Sequence, residues 1–238
     1  MSSTSLAGTA SAPAAPPAGL RRATRLLAAT VLPLGAIAIA VLRFVMPYYT
    51  TDSGTEIARS IAAHQDRQNA VVWLGFVAVL TMVPAVLWVG RVTARTAPRL
   101  TAAALLLLVP GYLSLALLVS SDAVALYGVK HGLPTKTVAD MYTSVHPVVL
   151  IAGVVFVIGH VLGTILLGTA MLRGRSVPAW AAVATIVAQP LHFVAAVAVG
   201  SHTLDLVAWG LNAVGFAAVS VAILAMSDDA WASRDGGA

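Results

Sequence analysis

Six long apolar stretches dominate this sequence and restrict it to one class of fold. They cover about residues 26–46, 70–90, 100–119 or somewhat beyond, 147–172, 178–200 and 204–226. A helix needs roughly 20 apolar residues to cross the ~30 Å hydrocarbon core of a bilayer. Within that core a helix satisfies its own backbone hydrogen bonds. The pattern therefore predicts an all-α, polytopic transmembrane helix bundle with six spans.

The composition agrees with this prediction, because 59% of the 238 residues are hydrophobic and only 10% are charged. A soluble domain carries about 25% charged residues. The sequence has no cysteine, which excludes disulfides, iron–sulfur clusters and thiolate metal sites. The net charge of +5 does not indicate nucleic-acid binding, because the arginines lie in short segments between apolar stretches. The expected partners are the lipid bilayer and a lipophilic small molecule.

The charged residues of the connections predict the orientation in the membrane. The segment before the first span and the connections 2–3 and 4–5 are basic, with Arg21, Arg22, Arg25, Arg91, Arg95, Arg99, Arg173 and Arg175. The alternate connections hold most of the acids, namely Asp52, Glu56, Asp66, Asp140 and Asp205. By the positive-inside rule, both termini are expected in the cytoplasm of an inner (plasma) cell membrane.

The chain is expected to consist of one transmembrane domain with two tails. Residues 1–20 are rich in Ser, Ala, Pro and Thr and are predicted to be a disordered cytoplasmic tail. Residues 21–227 form the six-helix domain, and 228–238 a second cytoplasmic tail. The first apolar stretch has spanning length rather than signal-peptide length, so it is interpreted as an uncleaved span.

Two connections are long enough to have structure of their own. Between spans one and two, Ser53 and Glu56 have the spacing of a capping box, which predicts a short helix to about residue 67. Between spans three and four, residues 137–144 are expected to form another turn of helix.

Three successive spans each carry one narrow polar stripe at helical spacing. The members of the three stripes are His146 and His160 on span four, Thr185, Gln189 and His192 on span five, and Asp205, Trp209 and Asn212 on span six. Span three adds Asp122, and Tyr127 follows on the same helix. Because polar side chains inside a membrane usually face the bundle interior, the sequence predicts an outward-opening polar cavity ringed by spans three to six.

These residues suggest a membrane-embedded acid–base enzyme, such as a cyclase, isomerase or lyase on a lipophilic substrate of which isoprenoids are one class. Such chemistry needs carboxyl or imidazole groups whose pKa is moved by burial. The candidate catalytic residues are Asp122, His160, His192 and Asp205. The candidate substrate-binding residues are His146, Gln189, Trp209, Asn212 and Tyr127, where Trp209 and Tyr127 offer π faces to a developing carbocation. No metal and no cofactor are required by this hypothesis.

A b-type haem protein is a second hypothesis. His146 and His160 lie fourteen residues apart with Gly153 between them, a spacing at which one helix can ligate two stacked haems. The partners would be His192 and His202, whose spacing of ten turns them about 80° apart around a helix. One haem between His160 and His192 is geometrically easier.

Three further hypotheses have less support in the sequence. A non-catalytic bundle that binds a lipid or accompanies a partner would explain why no established catalytic motif is present. A zinc site is conceivable because His146, His202 and Asp205 have ligand types that suit the metal. Ion transport is disfavoured, because few carboxylates lie at mid-depth and no span is clearly broken.

One part of the sequence resembles a known family. The resemblance rests on His146-Pro147, on GHVLG at 159–163, on Leu167-Gly168 and on the turn RGRSVP at 173–178. These segments resemble an uncharacterised family of six-span bacterial membrane proteins, known only as a domain of unknown function, and residues 55–75 are also similar to it. The sequence departs from the family in the residues of the turn and in Gln189 and His192. The resemblance implies the six-span topology and the two histidines, and no activity.

Overall fold

The structure is a computed structural model that describes residues 17–143 and 146–233. In these ranges the chain forms α-helices and one π-helical segment, Val194–Val199, which continues α8. The helices are α1 Ala18–Val31, α2 Leu34–Val45, α3 Gly54–Ala63, α4 Gln65–Thr93, α5 Pro98–Lys130, α6 Thr135–Thr143, α7 Pro147–Arg173, α8 Ala179–Phe193, α9 His202–Leu224 and α10 Asp228–Ala232.

Six helical segments are long and apolar enough to cross a membrane, as in a multi-pass membrane protein. They are Ala18–Val45, Gln65–Thr93, Pro98–Lys130, Pro147–Arg173, Ala179–Val199 and His202–Leu224. The first combines α1 and α2, which are separated at Pro33, a residue that lacks the amide hydrogen of a regular helix. The predicted helical bundle of six apolar, spanning-length segments is confirmed.

The six spans form a closed ring. Each of α2, α4, α5, α7 and α8 packs against the next one in that order, and α9 packs against both α8 and α2. Short α3 and α6 contact each other and α5 at one end of the ring, which we call the loop end. Both described chain ends lie at the opposite end, which we call the terminus end. Consecutive spans are therefore antiparallel neighbours, and spans one and six meet to complete the ring.

The capping box after α2 is present as predicted. The Ser53 amide donates to Glu56 Oε2 at 2.8 Å, and the Glu56 amide donates to Ser53 Oγ at 3.4 Å. The hydrogen bonds from Ser53 lower the pKa of Glu56 from its ordinary value. The helix that starts here ends at Ala63, before the predicted residue 67, because α4 already begins at Gln65.

The terminus end is more ordered than the sequence suggested. Within the predicted tail 228–238, Asp228–Ala232 form α10, and Trp231 is buried under the guanidinium of Arg91, 3.8 Å from its ring centre. Ion pairs tie α10 to α1, namely Arg25 with Asp228 at 2.8 Å and Arg21 with Asp229. Of the predicted tail 1–20, residues 1–16 lie outside the described residues, and so do 234–238. The second predicted tail therefore packs against the bundle as far as it is described.

The interior of the ring is divided into two halves. Towards the terminus end it is filled by fully buried apolar side chains, including Leu108, Met171, Phe216, Val219 and Ile223. From mid-depth towards the loop end the buried residues include His160, Gln189, Trp209, Asn212 and Asp205. The buried histidine, the two amides and Asp205 therefore lie in one half of the interior.

Spans three and four approach each other most closely at two glycines. A Cβ atom placed on Gly159 would lie 2.5 Å from the Leu107 carbonyl oxygen and 2.9 Å from Gly111 Cα. These are backbone atoms and cannot move aside without separating the helices. Gly159 precedes His160, so this contact also sets the position of the His160 side chain.

We expect Gly159→Ala to lower the free energy of unfolding by about 1–3 kcal/mol, because the added methyl group overpacks the α5–α7 contact. Gly210→Ala is the matched control, since nothing lies within 4 Å of a Cβ at that position. It should leave stability unchanged or raise it by up to about 1 kcal/mol. Unfolding of the purified proteins in detergent measures both, and equal effects would contradict the close contact.

Candidate functional site

Asp205 is the centre of the candidate site. Its side chain is 1% exposed, Oδ2 accepts a hydrogen bond from Arg43 Nε at 2.5 Å, and Oδ1 lies 2.5 Å from His192 Nδ1. Although Asp205 is in the first turn of α9, the capping role there belongs to Ser201, whose Oγ accepts from the Leu204 amide. The carboxylate therefore joins three spans.

The hairpin between α8 and α9 positions His192. Pro190 lies just before it inside α8, and the helix then widens into the π-helical segment Val194–Val199. The hairpin turns at Gly200, which has a φ of 64° in the left-handed region that favours glycine. π-helical turns are rare in proteins overall, and those that occur are often found at functional sites. Here the wider turn brings His192 opposite Asp205, thirteen residues further along the chain.

The geometry assigns the proton positions of His192. An Nδ1–H that donates to Asp205 leaves Nε2 with its lone pair in the neutral ring. In Asp–His pairs of this kind the carboxylate orients the imidazole, and Nε2 carries out the proton transfer. His192 is therefore arranged as an acid–base group.

His160 is oriented in a similar way by the backbone. Its Nδ1 lies 2.6 Å from the Phe156 carbonyl oxygen, so Nδ1 carries the hydrogen and donates it. Its Nε2 is buried and has no hydrogen-bond partner in the described part of the chain. The ring stacks on Phe156 at 4.3 Å and faces His192 at 5.4 Å between ring centres.

Trp209 completes an aromatic cluster with the two histidines. Its indole is stacked with His160 at 5.9 Å and edge-on to His192 at 5.4 Å, measured between ring centres. The side chain is 1% exposed, and its Nε1 has no hydrogen-bond acceptor among the residues described. The indole therefore offers a buried donor beside both imidazoles.

Gln189 and Asn212 add two buried amides at a greater depth. Both residues are 0% exposed, and neither amide nitrogen nor oxygen has a partner within residues 17–143 and 146–233. Their depth follows from the antiparallel register of α8 and α9, in which His192 meets Asp205 and Thr185 packs against Gly215. Gln189 and Asn212 lie between these two levels.

Unpaired buried polar groups are costly. Leaving one such group unsatisfied costs about 1–3 kcal/mol, and native proteins contain few of them. His160, Gln189, Trp209 and Asn212 together place several in one region of the ring. A functional explanation is therefore warranted here, because packing alone would select apolar side chains.

Asp122 lies in a different cluster from the other candidate catalytic residues. It accepts hydrogen bonds from Gln68 Nε2 at 2.9 Å and from the Tyr48 hydroxyl, and Tyr48 lies 3.1 Å from the Tyr142 hydroxyl. Burial raises the pKa of Tyr48 well above its ordinary value, so this hydroxyl keeps its proton and acts as a donor. The network joins α4, α5, α6 and the segment after α2, and its hydrogen bonds do not reach His160, His192 or Asp205.

Two candidate substrate-binding residues also lie apart from the buried cluster. Tyr127 is 61% exposed and stacks on His131 at 3.9 Å. His146 is exposed and caps α7, where its Nδ1 accepts from the Val148 amide at 3.2 Å. A spacing of fourteen residues puts His146 and His160 on one face but about 21 Å apart along the axis. The candidates that share the ring interior are His160, His192, Asp205, Gln189, Trp209 and Asn212.

The expected outward-opening cavity is closed in this structure. His160, Gln189, Trp209 and Asn212 are at most 1% exposed. The best-formed surface pockets lie elsewhere, along residues 62–67 and beside Ala102, Leu105, Leu106, Val109 and Pro110. The rings of Phe156, His160 and Trp209 lie against one another in the region that the sequence assigned to an open cavity.

The zinc hypothesis is not supported by the geometry. Among the residues that the structure describes, no three His, Cys, Asp or Glu side chains are grouped as metal ligands. Asp205 is engaged by Arg43 and His192, His146 caps a helix, and His202 stacks on Tyr49 at 4.3 Å.

Arg43 is the site residue that sequence reasoning missed. Its place near the outer end of span one predicts a side chain that extends to the membrane surface or pairs with Asp52 or Glu56, but it pairs with Asp205. Its other nitrogens contact Met46 Sδ at 3.3 Å and Thr50 Oγ1 at 3.0 Å. An arginine three residues inside a span was the available signal, since such a charge needs a partner.

Comparison with protein-family models, with curated proteins and with solved structures gave no match. The resemblance seen in residues 146–178 therefore gains no support from a family match, and function has to be argued from the geometry.

The two aspartates should respond differently to the loss of charge. Asp205→Asn is expected to lower the free energy of unfolding by about 3–5 kcal/mol, because it removes one partner of a buried ion pair. Asp122 has no ion pair within the described ranges, and an asparagine can still accept from Tyr48 and Gln68. Asp122→Asn should therefore cost much less. Thermal unfolding of the two purified variants measures the difference, and equal losses would contradict this assignment.

Proposed function

We propose that this multi-pass membrane protein binds a lipophilic small molecule inside its helix ring and transfers a proton to or from it through His192. The observation that carries the proposal is the chain of contacts from Arg43 to Asp205 to His192, beside His160 and Trp209. An acid–base group that is only 13% exposed and is held by a buried carboxylate is typical of functional sites.

Each residue has a chemical part in this proposal. His192 Nε2 takes a proton from the bound molecule and returns it at another position or to a leaving group. Asp205 stabilises the imidazolium formed in between, and Arg43 keeps that carboxylate ionised. Positioned acid–base groups of this kind contribute typically 10²–10⁴-fold to a rate. In an isomerisation or an elimination, the proton that His192 removes is returned to the same molecule or to its leaving group, so no further reactant is needed.

The distribution of polar residues supports a binding site over a pore. The polar residues occupy the interior from mid-depth to the loop end, and Phe216, Val219, Ile223 and their neighbours fill the other half. The apolar filling of that half leaves no continuous run of histidine, amide or acid side chains along the axis of the described interior. The arginines at the terminus end favour a cytoplasmic position for that end by the positive-inside rule. The site would then face the outer side of the plasma membrane.

A haem between His160 and His192 is the second candidate. The orientation of both imidazoles favours it, because each has its Nδ1 engaged, as in metal-ligating histidines. A porphyrin fits less well than a single-chain lipophile, because the Trp209 indole lies 5.9 Å from His160 and 5.4 Å from His192 between ring centres and would have to move before a rigid macrocycle could enter. An absorption spectrum of the purified protein decides between the two proposals. A Soret band after haem-replete expression would support the haem site and contradict the acid–base proposal.

We expect His192→Gln to abolish the conversion. Lipid extracts of cells that express the wild-type protein should contain a product that is reduced at least tenfold with His192→Gln, because glutamine cannot carry the proton. Mass spectrometry of the extracts, normalised to protein in the membrane, measures this difference.

His131→Gln is the matched control, because His131 is exposed and lies at the loop end away from the cluster. Its product level should equal that of the wild type. If the wild-type protein retains a molecule on purification and His192→Gln changes neither its amount nor its structure, the protein is a non-catalytic binding bundle.

A further inference from the structure

The charged side chains at this site are engaged with each other. Asp205 pairs with Arg43 through one carboxylate oxygen and contacts His192 Nδ1 through the other. All three guanidinium nitrogens of Arg43 are engaged, by Asp205, Met46 and Thr50. In the described part of the interior, no charged side chain is left to pair with a bound ion at this site.

The buried polar atoms at this site that have no partner in the described part of the chain are all uncharged. Gln189 and Asn212 each offer an amide N–H donor and a carbonyl acceptor, Trp209 offers an N–H donor, and His160 offers the Nε2 lone pair as an acceptor. The set therefore combines donors with acceptors. The stacked rings of Phe156, His160 and Trp209 add flat apolar faces beside them.

We propose that the ligand is an uncharged lipophile whose head carries a hydroxyl or carbonyl oxygen, as in a long-chain alcohol, aldehyde or ketone. This inference rests on the proposed function and specifies its substrate class. A carbonyl or hydroxyl oxygen accepts from the amide and indole N–H groups, and a hydroxyl hydrogen is donated to His160 Nε2. A hydroxyl head completes up to three of these hydrogen bonds, and a carbonyl head up to two.

The same set of side chains excludes a ligand with a charged head group. A phosphate, carboxylate or ammonium group buried here would have no counterion, and burial of an unpaired ion is strongly unfavourable. The remaining arginines of the described ranges lie at the terminus end, or are exposed at the loop end as Arg59 and Arg67 are. The site therefore selects against phospholipids, prenyl diphosphates and fatty acids.

Three probes with one carbon skeleton test the inference. Farnesene has no polar head, farnesol has a hydroxyl, and farnesyl diphosphate has a charged head, so the contribution of the tail is shared. Binding to the purified wild-type protein in nanodiscs is measured by native mass spectrometry and by thermal shift. We expect the dissociation constant of farnesol to be at least tenfold lower than those of the other two.

Variants of the amides show whether the preference arises at this site. Asn212→Leu and Gln189→Leu should weaken farnesol binding about fivefold or more and leave farnesene binding unchanged. Their matched controls are Asn69→Leu and Gln65→Leu, which make the same substitutions at exposed positions of α4. These controls should bind all three probes as the wild type does.

Each outcome has a separate meaning. Tighter binding of the diphosphate overturns the neutral head and leaves the lipophilic site intact. Equal binding of the three probes, unchanged in Asn212→Leu, shows partitioning into lipid and overturns the inference. If no probe binds while the extracts still show a product that depends on His192, the head class is wrong and the proposed function stands.

Discussion

The buried carboxylate of Asp205 is the contact on which the arrangement of the site depends. It is held by Arg43 from the first span and by His192 from the fifth, so one side chain on the sixth span joins the spans on either side of it in the ring. Such a pair is weak evidence for stability, because desolvation of two ions offsets most of their attraction. Its value lies in geometry, since it determines where His192 points and which of its nitrogens is free. The acid–base interpretation follows from this orientation.

Most of the fold could be predicted from the sequence. The length of each apolar stretch is enough to identify a span. The predicted ends of the six segments lie within a few residues of the observed ends where a cap is present. They differ by about ten residues where the helix continues, as α5 does to Lys130. The capping box at Ser53 was also local and therefore predictable. The helix α10 was missed, because its order comes from Trp231 and its ion pairs with α1, which are tertiary contacts.

The candidate site could be predicted only in part, for the same reason. The stripes on α8 and α9 belong to consecutive helices, and a short hairpin makes their polar faces meet. Arg43 could not be assigned without knowing that the first span closes the ring against the sixth. Asp122 looked equivalent to Asp205 in the sequence. However, its partner Tyr48, and Tyr142 which is hydrogen-bonded to Tyr48, come from connecting segments whose positions no periodicity describes. Depth alone did not distinguish the two carboxyl groups.

The unpaired amides are the strongest argument that this interior serves a function. Leucine at positions 189 and 212 would fill similar volume and remove about 1–3 kcal/mol of unsatisfied hydrogen bonding at each position. The other half of the ring shows that this chain can pack such an interior, with Phe216 and Val219 on the same helix as Asn212. Stability and function are expected to oppose each other at such positions. Unpaired polar groups lower the stability of the protein without ligand, and this penalty is removed when a ligand completes their hydrogen bonds. The free energy released in this way is available for binding a neutral, oxygen-bearing ligand.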